Sequence, residues 1–452
     1  LKSPFVLASL DDPVSPSGLS RRILALAVFY GTVGLLLFEP LAFGGVEPWS
    51  IYVLEVGAAI LLAVWAVQQV IAEEMELTWN RLFPPMLCFA GLIGFQIVTG
   101  HTAYAYVTKS QGLLYCSFGM VCFLVVQQLR ESRQLKILAW LFSAYGFVVA
   151  MFALIQGLSA NGKIYWTWAP QAGGWIYGPY VNHNHYAGLM EMLVPIPLVV
   201  SLFHYVPNFR RALAAGAAAV MAGTIFLSGS RGGMLAVAVQ MAVLFGILAR
   251  QRKGLKLGLA IAFFLILVMG MLAWLGGGAL SSRLASLRTS AHPELSEGLR
   301  LRVDRDGLRM FERKPILGWG WGVFPTVYPK YRSFYTNVFV NQAHNDYLQL
   351  LIEAGGIGFV LMLWFIVTTY YQATRKLENW ARDPNGAVAL VAIIGITGIL
   401  VHSLVDFNLQ IPANAALFYV LCVVGALEPR FASLSRHRPR KHRSAFEDRL
   451  SA

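Results

Sequence analysis

His344 stands in the polar run Asn341-Gln-Ala-His-Asn-Asp346, at the mouth of a long apolar stretch. An imidazole at a membrane surface titrates near neutrality and can take a proton from a hydroxyl nucleophile. It can equally be a structural group bonded to a backbone carbonyl where a helix begins. The neighbours Gln342, Asn345 and Asp346 keep both readings open. Arg231 lies in Leu227-Ser-Gly-Ser-Arg-Gly-Gly233, between two apolar runs. An arginine at membrane depth is costly unless it meets an anion or lines a wet cavity. Gly229, Gly232 and Gly233 would let a ligand approach the backbone, and Ser228 and Ser230 offer hydroxyl donors. The competing reading, a turn charge that sets topology, is weakened because Arg231 falls on the face where such charges are avoided.

A third cationic group is Arg300, Arg302, Arg305 and Arg309. On a helix Arg302, Arg305 and Arg309 share one face and Arg300 points elsewhere. Guanidinium forks bind phosphate oxygens in bidentate fashion, so the set indicates a phosphorylated substrate. His183 and His185, interleaved with Asn182 and Asn184, raise the question of metal. Residues two apart do not share a helical face, however, and no carboxylate or thiolate completes a ligand set. Hydrogen bonding to sugar hydroxyls or backbone is the expectation there. Asp406, in His402-Ser-Leu-Val-Asp-Phe-Asn408, is either a helix-end cap or a group that orients substrate.

The elements that must hold these residues follow from composition. The chain is 57% hydrophobic and 13% charged, with a mean hydropathy of +0.57, whereas soluble domains carry about 25% charged residues. A net charge of +13 could suit nucleic acid. The charges fall at helix ends and in one loop, which fits topogenic Lys and Arg plus an anion site, with no nucleic-acid partner. Cys88, Cys116, Cys122 and Cys422 all lie in apolar runs without ligand spacing and read as packing residues.

Twelve spans are expected, at about 21–38, 50–71, 83–99, 110–129, 135–157, 187–204, 211–228, 232–249, 256–275, 345–371, 386–404 and 412–427, each able to cross about 30 Å of hydrocarbon. The fold class is therefore all-α: a polytopic integral membrane protein with one large periplasmic loop, 276–343, containing short helices. Residues 1–20 form a cytoplasmic tail, 21–428 the transmembrane domain, and 429–452 a basic cytoplasmic tail. Arg21, Arg81, Arg130, Lys136, Arg210, Arg250, Arg375 and Arg382 gather on one side, which the positive-inside rule makes the cytoplasm, with both termini. The loop 276–343 carries ten basic residues against five acids on the other side, an exception that binding an anion explains. Within it Ser296–Glu312 reads as a helix, with Leu299, Val303, Leu308 and Phe311 apolar among Arg300, Arg302, Arg305 and Arg309. Small residues at 354, 355 and 358 predict a flat patch on the next helix for a packed neighbour.

These residues together carry a resemblance. His344-Asn345, nine residues, Gly355, two residues and Gly358 match the pattern of the bacterial O-antigen ligases. That membrane superfamily also holds O-antigen polymerases and protein O-oligosaccharyltransferases. The Ser-Arg-Gly-Gly turn, the Arg300 segment leading into Lys314-Pro-Ile-Leu-Gly-Trp-Gly320, and the twelve spans are similar to it as well. One departure is Asp304, where the family often has Trp. The resemblance implies a bacterial inner-membrane glycosyltransferase with a periplasmic site and no cofactor or metal. Its donor would be a glycan on undecaprenyl diphosphate and its acceptor lipid A-core. By that analogy His344 activates the acceptor, and Arg231 with Arg300 or Arg302 holds the donor diphosphate. Asn345, Asp346, Asn182, Asn184 and Asp406 support them. A polymerase, a protein-glycosylating enzyme and, from another class, a glycolipid flippase are the alternatives. A transporter should show mid-span charges and a repeat between halves, and the sequence shows no such repeat.

Overall fold

A computed structural model describes residues 16–72, 75–159, 161–170, 175–250, 258, 297–336 and 339–431. Thirteen helices of eight or more residues organise them: α1 Pro16–Leu41, α2 Pro48–Ala72, α3 Phe83–Val98, α4 Ala105–Gln128, α5 Ser132–Leu158, α6 His183–Leu193, α7 Pro195–Leu202, α8 Asn208–Leu227, α9 Arg231–Arg250, α10 Glu297–Arg313, α11 Asp346–Thr374, α12 Pro384–His402 and α13 Pro412–Gly425. No strand occurs among the described residues, where only two isolated β-bridges form.

The protein is an all-α polytopic membrane protein. Among the described residues nine apolar segments are long enough to span a membrane, counting α6 and α7 as one, and α3 and α13 are shorter apolar helices. Eleven of the twelve expected spans are thereby placed. The expected span 256–275, and the first part of the loop 276–343, lie outside the described residues. So do 1–15 and 432–452, although α1 already begins at Pro16, inside the stretch expected to be a tail.

The bundle is built around α6, every residue of which is buried. It packs against α5, α8, α9, α12 and α13. Pro195 has no N–H to continue the ladder, so the expected sixth span is two helices, with α6 ending at Leu193. Gln240 of α9 ties the centre together, its amide donating to the Glu191 carbonyl at 2.8 Å and the Ile394 carbonyl at 3.0 Å. With few waters to compete, interhelical bonds of this kind contribute roughly 0.6–2 kcal/mol each.

The expected patch on α11 does receive a neighbour, Gly358 lying against Phe89 and Leu92 of α3, but it also contains a break. Gly355 has φ 66°, ψ −170°, a conformation open to glycine alone, and it interrupts the helix. The groups freed from the ladder are taken up by the loop before α11. Trp319 and Gly320 donate to the Ile352 and Glu353 carbonyls at 2.8 and 3.0 Å. The Pro315 and Ile316 carbonyls accept from Gly356 and Ile357 at 2.7 and 3.2 Å. The buried Glu353 carboxylate then accepts from Gly322 at 2.9 Å and Phe324 at 3.1 Å. Gln96 of α3 donates to the Leu317 and Glu353 carbonyls and accepts from Trp321. Unpaired backbone at this depth would cost several kcal/mol per group, so the exchange fixes the loop rigidly onto the bundle.

α10 lies on the start of α11 through Val303, Gly307 and Met310, which face Leu348 and Ile352. The expected helix is present. Leu308 is 51% exposed and Met310 is buried, because the helix docks along 303, 307 and 310, an i, i+4, i+7 row.

Candidate active site

Five segments converge at one end of the bundle: the start of α11, the exit of α12, the start of α6, α10, and the turn between α8 and α9. Local capping sets two of them. Asn345 is the N-cap of α11 and its side chain accepts from the Leu348 amide at 3.1 Å. Asn182 does the same for α6, accepting from the Asn184 amide at 2.8 Å. Asp346 staples α11 to the α12 exit. Its carboxylate accepts from Ser403 Oγ at 2.7 Å, the Leu409 amide at 3.0 Å and Gln410 Nε2 at 3.3 Å, while its own N–H donates to the Ser403 carbonyl. Asn345, Asn182 and Asp346 thus hold these segments together through their side chains, and Asn184 does so through its amide.

The staple delivers Asp406 to His344. Asp406 Oδ1 lies 3.6 Å from His344 Nδ1 and 3.7 Å from His185 Nε2, and accepts from the Phe407 amide at 2.8 Å. Both imidazoles stand edge-on to the Phe407 ring, with centroids 4.8 and 4.6 Å away. Arg300 Nη1 approaches Asp406 Oδ2 at 3.9 Å and donates to the Val405 carbonyl at 3.2 Å. Burial alone would raise the Asp406 pKa. The two histidines outweigh burial and hold its carboxyl well below the usual carboxylate range, so it is an anion at neutral pH. His344 itself has φ 55°, a left-handed conformation that a non-glycine residue adopts only when its surroundings enforce it. Its side chain remains 12% exposed while that of Asp406 is 1% exposed. An anion facing Nδ1 favours the tautomer with the proton there, which leaves Nε2 able to accept one.

α10 places the arginines differently. Arg300 and Asp304, one turn apart, face His344, and Arg302 is exposed on the other side of the helix. Burial raises the pKa of Asp304, opposed by the charges of His344 and Arg300. Arg309 pairs with Asp306 at 3.4 Å, away from the cluster. Arg231 opens α9 with its side chain exposed. Its turn rests on the α12 exit: Ser230 Oγ is 3.5 Å from His402 Nε2, and Gly232 packs so close to the His402 ring and Val405 that a side chain would not fit.

A second polar layer lies beneath. Glu191 Oε1 and His402 Nδ1 are 2.7 Å apart and both side chains are buried. A Glu and a His inside apolar spans are a signal that composition alone could have flagged. For His185 the sequence suggested hydrogen bonding to sugar hydroxyls or backbone, and its place beside Asp406 is new. His185, His344 and Asp406 supply ligand atom types, yet among the described residues no group of three or more His, Cys, Asp or Glu is disposed to hold a metal. Arg300 supplies positive charge at the same carboxylate.

Comparison with known families fits this geometry. Residues 216–363 match the O-antigen ligase family, Wzy_C. The resemblance read from the His344-Asn345…Gly355…Gly358 pattern is borne out as a similarity to that family over the matched segment. It contains Arg231, Arg300, Arg302 and His344, whereas Asp406 and His185 lie outside it. No curated protein matches the chain.

Proposed function

We propose that this protein is an O-antigen ligase that moves a glycan from undecaprenyl diphosphate to lipid A-core at the periplasmic face of the bacterial inner membrane. The observation that carries this reading is the meeting of His344 with Asp406 and Arg300, beside the Arg231 turn, within and next to a ligase-type domain. Asp406 orients His344, whose Nε2 takes the proton of the acceptor hydroxyl. The hydroxyl oxygen attacks the anomeric carbon as its bond to the diphosphate oxygen breaks, with inversion. Diphosphate leaves as an anion, and the Arg231 and Arg300 guanidiniums stabilise the charge that develops on it. Arg302, exposed on the far side of α10, is the weaker candidate for donor binding. An apolar cavity of about 110 Å³ beside Asp346 and Gln410, running between α4, α11 and α13, suits the isoprenoid next to the phosphates.

The deciding experiment gives purified protein a lipid-linked glycan with lipid A-core or with no second acceptor. Transfer to core supports the ligase. Longer lipid-linked chains would make the enzyme a polymerase, and no transfer would favour a flippase. Two further outcomes are expected. In a chain whose native cysteines are replaced, Tyr335→Cys, on the loop, reacts with an impermeant thiol reagent added to intact spheroplasts, and Arg382→Cys reacts only after lysis. The reverse pattern would place the site in the cytoplasm. Transfer should also persist in EDTA, because the two guanidiniums fill the role a divalent cation would have. Loss on chelation, restored by one divalent ion, would show that His185, His344 and Asp406 hold metal.

A further inference from the structure

On the face opposite His344 the bundle is not filled. α5 packs on α7 and α8, and the Tyr145 hydroxyl donates to the Leu37 carbonyl of α1 at 2.8 Å, closing the gap at mid-height. Between that bond and the start of α5 a trough of about 520 Å³ separates α5 from α1, α4, α12 and α13. Val33, Leu138, Ala139, Ile196, Val391 and Leu417 are among its walls. From Ser132 to Phe142 it follows α5 for ten residues, about 15 Å at the helical rise, which is the hydrocarbon depth of one leaflet.

The rim is as distinctive as the walls. Lys136 and Arg210 line it together with Ser132 and Gln128, and no carboxylate is among the lining residues. Arg210 sits in the first turn of α8, where the backbone dipole favours negative charge and a cation is unfavourable without an anion, whereas Lys136 lies one turn into α5, whose start Glu131 already caps. No side chain caps α8, whose N-cap is Pro207, so its first amides are available as well. An apolar slot one leaflet deep, ending in two cations and a helix N-terminus, matches a lipid whose phosphate lies at the rim and whose chain lies inside.

We propose that the trough binds one glycerophospholipid with an anionic headgroup, which closes the bundle between α5 and α13 on the side away from the catalytic cluster. The inference does not depend on the ligase reading. The test uses the full chain in nanodiscs of phosphatidylcholine with a minor share of phosphatidylglycerol. After detergent extraction, native mass spectrometry counts the lipid retained. The wild type should retain one phosphatidylglycerol. Lys136→Ala/Arg210→Ala should bind it about thirtyfold more weakly, the effect of two basic residues near a headgroup. Arg382→Ala, an exposed cation elsewhere on the same face, should bind as the wild type does. Ala139→Trp, which fills the slot, should lose the lipid, and a melting curve on the same sample establishes that this variant is folded.

A photo-reactive residue at position 139 identifies the occupant directly, the expected adduct having the mass of phosphatidylglycerol. Equal retention of phosphatidylcholine, undiminished binding by the double variant, or an adduct to a peptide of this chain or of another protein would each overturn the proposal.

Discussion

Purified His344→Ala protein is expected to fold, to bind donor, and to transfer glycan about 10²–10⁴-fold more slowly, the usual loss when a general base is removed. The geometry separates this outcome from a purely structural role. His344 lies at the rim of the cluster with 12% of its side chain exposed, and its Nδ1 faces the Asp406 carboxylate at 3.6 Å. Removing it leaves α11 capped by Asn345 and stapled by Asp346, so melting should change little. Asp406→Asn tests the orienting role through the same ring. The amide keeps the shape and loses the charge that fixes the tautomer, so turnover should fall while the acceptor KM changes less. Arg231→Ala should weaken donor binding as well as turnover. Arg231→Lys should recover only part of it, since an ammonium keeps the charge but not the planar fork. Near-normal transfer by a well-folded His344→Ala protein would remove that residue from the mechanism, and unchanged donor affinity in Arg231→Ala would remove the arginine.

Much of the architecture was legible because the bilayer imposes it locally. Apolar length and the placement of Lys and Arg are properties of single segments, and eleven of the spans they indicate are helices in the structure. The helix around Arg300 was legible for the same reason, and its period already set Arg300 apart from Arg302. The cluster was not. His185, His344 and Asp406 are separated by scores of residues and meet only because α6, α11 and the α12 exit pack at one end. Spacing arguments see one helical face at a time, so His183 and His185 invited a local question about metal. The partner that matters to His185 comes from 406. The same limit explains Gly355. Glycine is compatible with a flat helical patch and with a break, and only the loop that exchanges hydrogen bonds with α11 distinguishes the two.

The break makes Gly355→Ala the substitution with the largest structural effect outside the cluster. At φ 66°, ψ −170° an alanine is strained by roughly 1–3 kcal/mol. Its Cβ would also press on the Ile316 carbonyl and on the Gly318 amide at 2.7 Å. Two responses are open to the chain. It can keep the break and accept the strain, or it can straighten α11 and expel the Pro315–Gly320 turn. Expulsion frees the Glu353 carboxylate from the Gly322 and Phe324 amides and releases α10, which carries Arg300 at its other end. The expected result is a protein that still inserts in the membrane, melts at a lower temperature, is cleaved by added protease between 314 and 324, and has lost transfer. Gly356→Ala is the control. Gly356 lies next in the chain with helical backbone, and an added Cβ would meet only the Pro315 carbonyl at 3.3 Å, so its loop should stay protected. A Gly355→Ala protein as stable and protease-resistant as the wild type would mean that the loop is held by something other than this exchange of backbone hydrogen bonds.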